Sequence, residues 1–182
     1  MRKLLLAVIV SLSTVSTAAL AEIKVGIILG FTGPIESLTP AMRDGARMAF
    51  DEASNSGNLL GGESITILEA DSTCVDSAAA TAAAEGLVAD GVSAIMGADC
   101  SGVTGAINAN VAVPNGILMV SPSATSPGLS SVPDNGTFWR TAPSDAKGGQ
   151  VLANLALSRG IESIAVTYTN NDYGKGLAEV FE

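Results

Sequence analysis

The chain has 182 residues, with 18 acidic against 9 basic side chains, no histidine and two cysteines. Such an acidic balance argues against nucleic acid and anionic membrane as partners. Two cysteines without histidine do not complete a zinc site, so no metal and no cofactor is expected.

The first residues read as a secretory leader in three parts. Arg2 and Lys3 are positive, Leu4 to Val10 is continuously apolar, and Ala19-Leu20-Ala21 is the small-x-small pattern that a signal peptidase cuts. The apolar run is too short, and too interrupted by Ser and Thr beyond it, for a membrane anchor. Cleavage after Ala21 makes Glu22 the first mature residue, with no Cys there to carry a lipid. It also removes Arg2 and Lys3, so the formal charge of −9 becomes two units more negative. The expected compartment is the periplasm. In that oxidising setting Cys74 and Cys100 are candidates for a disulfide, two buried thiols being the alternative.

From Ile23 to Leu29 the chain is nearly all apolar, the pattern of a strand buried on both faces. Thr39 then caps a helix with Pro40 at its favoured start. Met42, Ala46, Ala49, Phe50 and Ala53 share one face of it. Ser64 to Ala70 is a second strand. Asp76 caps an Ala-rich helix that runs to about Ala89. Val92 to Met96 is a third strand, Ser101 opens a helix that Pro114 closes, and Ile117 to Val120 is a fourth strand. A Ser- and Pro-rich loop follows, then a short strand-like stretch from Thr137 to Thr141. Ser144 caps the next helix, with Val151, Leu152 and Leu155 inward and Gly160 as its stop. Ser163 to Thr167 is a further strand, and a last helix begins near Tyr173. Strand and helix alternating in this way give βαβ units on a parallel sheet, an α/β fold of Rossmann-like form.

Open α/β sheets bind ligands at the carboxyl ends of their strands. Three loops lie there: Gly30 to Pro34, Ala98 to Gly102 and Ser121 to Ser126. Ser101, at a helix start, suits an anion such as a carboxylate, or is simply a cap. The fourth-strand loop adds hydroxyls and backbone N–H groups on the same edge. Tyr173 either covers an apolar ligand or packs on its own lobe. Enzyme motifs are missing. The glycines from Gly26 to Gly33 are misplaced for a dinucleotide loop, and Gly174-Lys175-Gly176 lacks the rest of a P-loop. Neither Cys100 nor Ser101 has a histidine to activate it. The protein is therefore not expected to be an enzyme.

Several segments in order carry a resemblance. They are Ile23-Lys24-Val25-Gly26, Thr32-Gly33-Pro34, Asp44-Gly45-Ala46, Asp71-Ser72-Thr73-Cys74 and Gly97-Ala98-Asp99-Cys100-Ser101. They continue with Ser121-Pro122-Ser123-Ala124-Thr125, Phe138-Trp139-Arg140-Thr141 and Asp172-Tyr173-Gly174-Lys175-Gly176. The chain resembles the periplasmic substrate-binding proteins of branched-chain amino acid ABC transporters, the leucine/isoleucine/valine-binding type. That resemblance implies a type I periplasmic-binding fold of two α/β lobes that close on a ligand. On it, 1–21 is the leader, 22–141 the first lobe and 142–182 the start of a second, truncated lobe.

The resemblance also implies a Cys74–Cys100 disulfide. It gives the ligand carboxylate, and part of the ammonium, to the Ser101 hydroxyl, the Ser123 backbone and Thr125. Tyr173 matches an aromatic that closes over the ligand, and Leu38 stands where those proteins carry a Tyr. The acidic partner of the ammonium is expected beyond residue 182. The implied protein is a monomer that hands a small amino acid to permease subunits. A short amide, urea, an aromatic acid, a sensor role and a secreted enzyme are the rival readings.

Overall fold

The computed structural model describes residues 22–182, so the leader and its cleavage site lie outside the described residues. Five strands form one sheet: β1 (Ile23–Leu29), β2 (Ile65–Asp71), β3 (Ala94–Gly97), β4 (Leu118–Ser121) and β5 (Phe138–Arg140). Their order is β2-β1-β3-β4-β5, and every pairing is parallel. The continuous apolar run of β1 suits its central place, where Ile27, Ile28 and Leu29 lose all contact with solvent. Parallel sheets need both faces covered, which is why such strands do not alternate apolar and polar residues.

The helices are α1 (Thr39–Asn55), α2 (Ser77–Ala89), α3 (Ser101–Ile107), α4 (Val113–Asn115), α5 (Ala146–Ser158) and α6 (Asp172–Phe181). Between α3 and α4 runs a π-helical turn, Asn108–Ala112. Ala80, Ala84 and Leu87 of α2 meet Val103 and Ile107 of α3 in one core with Ile28, Ile95 and Met119 of the sheet. The small alanines let α2 lie close to the strands. Opposite crossover directions from β1 to β2 and from β2 to β3 put α1 on the other face.

The expected caps divide. Asp76 does cap α2, accepting from the N–H groups of Ala78 and Ala79 at 3.0 Å. Thr39 is not the cap of α1. It lies inside the first turn, Leu38 holds the cap position, and the Thr39 hydroxyl donates to Glu36 O at 3.1 Å. At α3 the cap is Cys100, with Ser101 the first helical residue. At α5 it is Asp145, while the Ser144 hydroxyl accepts from Ala146 N at 3.2 Å. Pro114 sits within the last helical turn, which ends at Gly116 in the left-handed region.

Two expectations near the C-terminus differ from the structure. Ser163 to Thr167 has the composition of a strand but pairs with no strand among the described residues, and a strand exists only through its partner. Val151, Leu152 and Leu155 of α5 are exposed rather than inward. Leu152 shares an apolar, partly exposed surface with Ile164 and Val166. Trp139 on the edge strand β5 is also 63% exposed, its indole N–H donating to Gly136 O at 3.2 Å.

Candidate ligand-binding site

The strand order reverses between β1 and β3, and at such a point the loops leaving the two strands part to leave a crevice. Gly97 ends β3 with φ of +135°, and a Cβ there would collide with Ile28 O, so only glycine fits. Asp99 follows, 3% exposed. Its carboxylate accepts from Gly30 N at 3.1 and 3.0 Å and from the Ser72 hydroxyl at 3.2 Å. Its carbonyl accepts from the Ser123 hydroxyl at 3.0 Å. One residue thus joins the loops after β1, β2, β3 and β4.

Ser101 is 3% exposed. Its oxygen accepts from Ser126 N at 3.1 Å, and its proton finds no acceptor among the described residues. The bond holds the β4 loop against α3. Arg140 holds that loop from the other side, donating to Ala124 O at 3.1 Å and Ser126 O at 2.8 Å. Thr125 lies between those carbonyls. Its own carbonyl accepts from Asp145 N at 3.0 Å, whereas its N–H and hydroxyl have no partner among the described residues. The loop is thus held at Ala124, Ser126 and the Thr125 carbonyl, while the Thr125 N–H and hydroxyl are left with hydrogen-bonding capacity to spare.

Cys74 and Cys100 form a disulfide, with 5.2 Å between their Cα atoms. It ties the β2 loop to the residue before Ser101. On the same edge Asp71 accepts from the Thr32 hydroxyl at 2.6 Å, Thr32 N at 3.3 Å and Thr73 N at 2.8 Å. Burial pushes the Asp71 carboxyl up, but these bonds outweigh it and hold its pKa below the usual value of 3.8.

α6 presents two faces. Asp172, Lys175, Gly176 and Glu179 join Ser101 and Ser126 around a cavity of about 290 Å³. Tyr173 and Leu177 line a different cavity of about 530 Å³, with Ile164, Val166 and Phe181. Tyr173, 45% exposed, is therefore not brought to Ser101 in this arrangement. Leu38, 56% exposed at the start of α1, lines neither cavity. Gly176 lets α6 approach closely, since a Cβ there would sit 2.9 Å from Ser126 Oγ and 3.0 Å from Pro127 Cδ.

A model of the family described as "Periplasmic binding protein" matches residues 22–182. The chain belongs to the periplasmic binding protein family. A relative within it is the Leu/Ile/Val-binding protein BraC3 of Rhizobium johnstonii, 31% identical over 99% of this chain and 48% of that protein. The leucine-specific-binding protein of Salmonella typhimurium is 32% identical over 97% of this chain and 47% of its own length. The chain thus spans about half the length of these curated relatives.

Among solved structures, the branched-chain amino acid transporter substrate binding protein LivJ of Streptococcus pneumoniae, in complex with isoleucine, superposes with a TM-score of 0.73. It is 30% identical, over 88% of this chain and 45% of that one. A Rhodopseudomonas palustris solute binding protein in complex with 3,4-dihydroxy benzoic acid gives a TM-score of 0.74 at 19% identity, over 88% and 42%, which shows the shared fold.

The polar groups that meet on this sheet edge are hydroxyls, backbone N–H groups and carboxylates engaged in hydrogen bonds. No group of three metal-ligating side chains occurs among the described residues, and no described helix is long and apolar enough to cross a membrane. Asp99, Arg140 and Asp145 hold the loops of this edge without any local sequence pattern that marks them. Their partners are backbone groups far along the chain, so no local spacing points to them. A lone acid directly after a buried strand was the one usable signal, at Asp99.

Proposed function

We propose that the protein is the periplasmic solute-binding component of an ABC importer. It captures a small amino acid with a branched or other aliphatic side chain and delivers it to the membrane permease. It works by reversible capture as a monomer, without covalent chemistry. The observation that carries this reading is the open N–H and hydroxyl of Thr125, on a loop held at Ala124 and Ser126, with the proton of Ser101 also unclaimed. Those donors suit the carboxylate of an amino acid. Ser123 contributes through its main chain, because its hydroxyl is engaged with Asp99 O. The names of the Rhizobium and Salmonella relatives, and the isoleucine in the pneumococcal structure, support an aliphatic amino acid. Family membership supports the periplasm, and with it the leader ending at Ala21.

On the same reading Tyr173 and Leu38 are contacts made on closure. Ligand drives that closure only by binding the closed form better than the open one. The test is thermal unfolding of the full-length mature protein, first unfolded and refolded to strip captured ligand. Leucine, isoleucine, valine and alanine are compared with short amides, urea and aromatic acids. A ligand at a hundred times its dissociation constant adds ~2.7 kcal/mol of stability, so one of the four amino acids is expected to raise the midpoint saturably. A shift with an amide or aromatic acid alone overturns the amino-acid reading. No shift with any of them overturns small-solute capture.

A further inference from the structure

Two Asn-Gly steps occur in the sequence, at Asn115-Gly116 and Asn135-Gly136. Such a step is chemically labile, because the glycine nitrogen, uncrowded by a side chain, can attack the asparagine amide carbon. The fold treats the two differently. Asn115 lies in the last turn of α4, its Nδ2 donating to Val111 O at 2.8 Å, and Gly116 N donates to Val113 O at 3.3 Å. Asn135 and Gly136 are exposed at the tip of the turn before β5. Both have positive φ, +51° and +78°, and Thr137 N donates to Asp134 O at 2.8 Å, which makes a type I′ turn. The Asn135 amide takes no part in the side-chain hydrogen bonds of this turn.

One bond stands against the attack. Gly136 N, the nucleophile, donates to Asp134 Oδ1 at 2.9 Å. The carboxylate keeps the proton that this nitrogen has to shed and fixes its peptide in the turn. An exposed turn with few buried contacts opens at low cost, so this bond sets how often the nitrogen is released.

We propose that Asn135 is the site at which this chain deamidates, and that Asp134 restrains the reaction. The Gly136 nitrogen forms a bond to Asn135 Cγ and gives up its proton. The side-chain nitrogen leaves with that proton as ammonia, which closes a succinimide ring. Water then opens the ring at either carbonyl, to aspartate or to isoaspartate, and no oxidant or reductant is consumed. Isoaspartate lengthens the main chain by one carbon just before β5. There Gly136 O accepts from Trp139 Nε1 at 3.2 Å and Thr137 O from Met119 N at 2.7 Å, and Ser121 pairs with Arg140. The change therefore loosens the edge strand that carries Arg140. The inference does not depend on which ligand the protein takes.

The test uses full-length mature protein, kept folded and warm in mildly alkaline buffer for weeks. Wild type is compared with Asp134→Ala, Asp134→Asn and Asn135→Gly, the last suited to positive φ and without an amide to lose. Isoaspartate is assayed by enzymatic methylation and placed by peptide mapping. Wild type is expected to gain it slowly at residue 135 and more slowly still at residue 115. Asp134→Ala is expected to raise the rate at 135 about tenfold or more, the release of one hydrogen bond to a charged group, and to leave the rate at 115 unchanged. Asp134→Asn, whose side-chain carbonyl still accepts from Gly136 N, is expected to fall between the two. Asn135→Gly is expected to keep the thermal midpoint that wild type loses on ageing. In concentrated urea wild type and Asp134→Ala are expected to react at one rate. A rate at 135 that Asp134→Ala leaves unchanged in the folded protein overturns the restraint. Acceleration at 115 as well shows that the variant has opened the fold, and overturns it too. Deamidation at 115 ahead of 135 in folded wild type, or none at 135 in any of these proteins, overturns the site.

Discussion

Asp71 shows how a single side chain on this edge is tuned. Its hydrogen bonds to Thr32 and Thr73 favour the ionised form and overcome the burial that opposes it. The folded-state pKa is thus depressed below the unfolded value. The stability this contributes is fully present above about 3.8 and is lost as pH falls through the lower, folded value. Asp71→Asn is therefore expected to lower the thermal midpoint at neutral pH. Midpoints measured from pH 7 down to pH 2 should converge for the two proteins in acid, and a constant gap would contradict this account. At this scale the sequence was partly legible. The Asp76 cap could be read because its side chain bonds the next turn of its own helix. Thr39 and Ser101 carry equally good capping hydroxyls, but the backbone bends one residue earlier at each, which composition does not encode. Arg140 and Asp145 were illegible for a stronger reason, since their surroundings are created by tertiary packing.

At the scale of elements, the alternation of apolar runs with helical segments was enough to read all five strands of the sheet, with bounds shifted by a residue or two. Pairing was what it lacked. Ser163 to Thr167 has the apolar content of β1 but no neighbour to bond among the described residues, so its composition alone does not make a strand. The Cys74–Cys100 bond closes a loop of sequence separation 26 that contains α2 and β3. Chain-entropy reasoning makes that closure worth about 3.5 kcal/mol. The Cys74→Ala/Cys100→Ala double variant is expected to unfold at lower denaturant by about that amount. Its ligand affinity is expected to fall as well, because Cys100 directly precedes Ser101. Equal stability of the two proteins in urea would show that the bond ties parts already held by Asp99.

For the molecule as a whole, two regions differ in how they bury apolar surface. The sheet with α2 and α3 encloses a continuous core, while Leu152, Ile164 and Val166 beyond it remain exposed. This supports the proposed division at residues 141 and 142. A polypeptide of residues 22–141 is expected to unfold in one cooperative transition and to bind a hydrophobic dye less than residues 22–182. Greater dye binding by the shorter piece would place the boundary elsewhere. The edge strand β5 has one more consequence. The one tryptophan of these 182 residues is Trp139, next in the chain to Arg140, which holds the β4 loop. Within residues 22–182 indole emission therefore originates at one solvent-facing position. On the proposed function, ligand loading is expected to change that emission, with no dye attached.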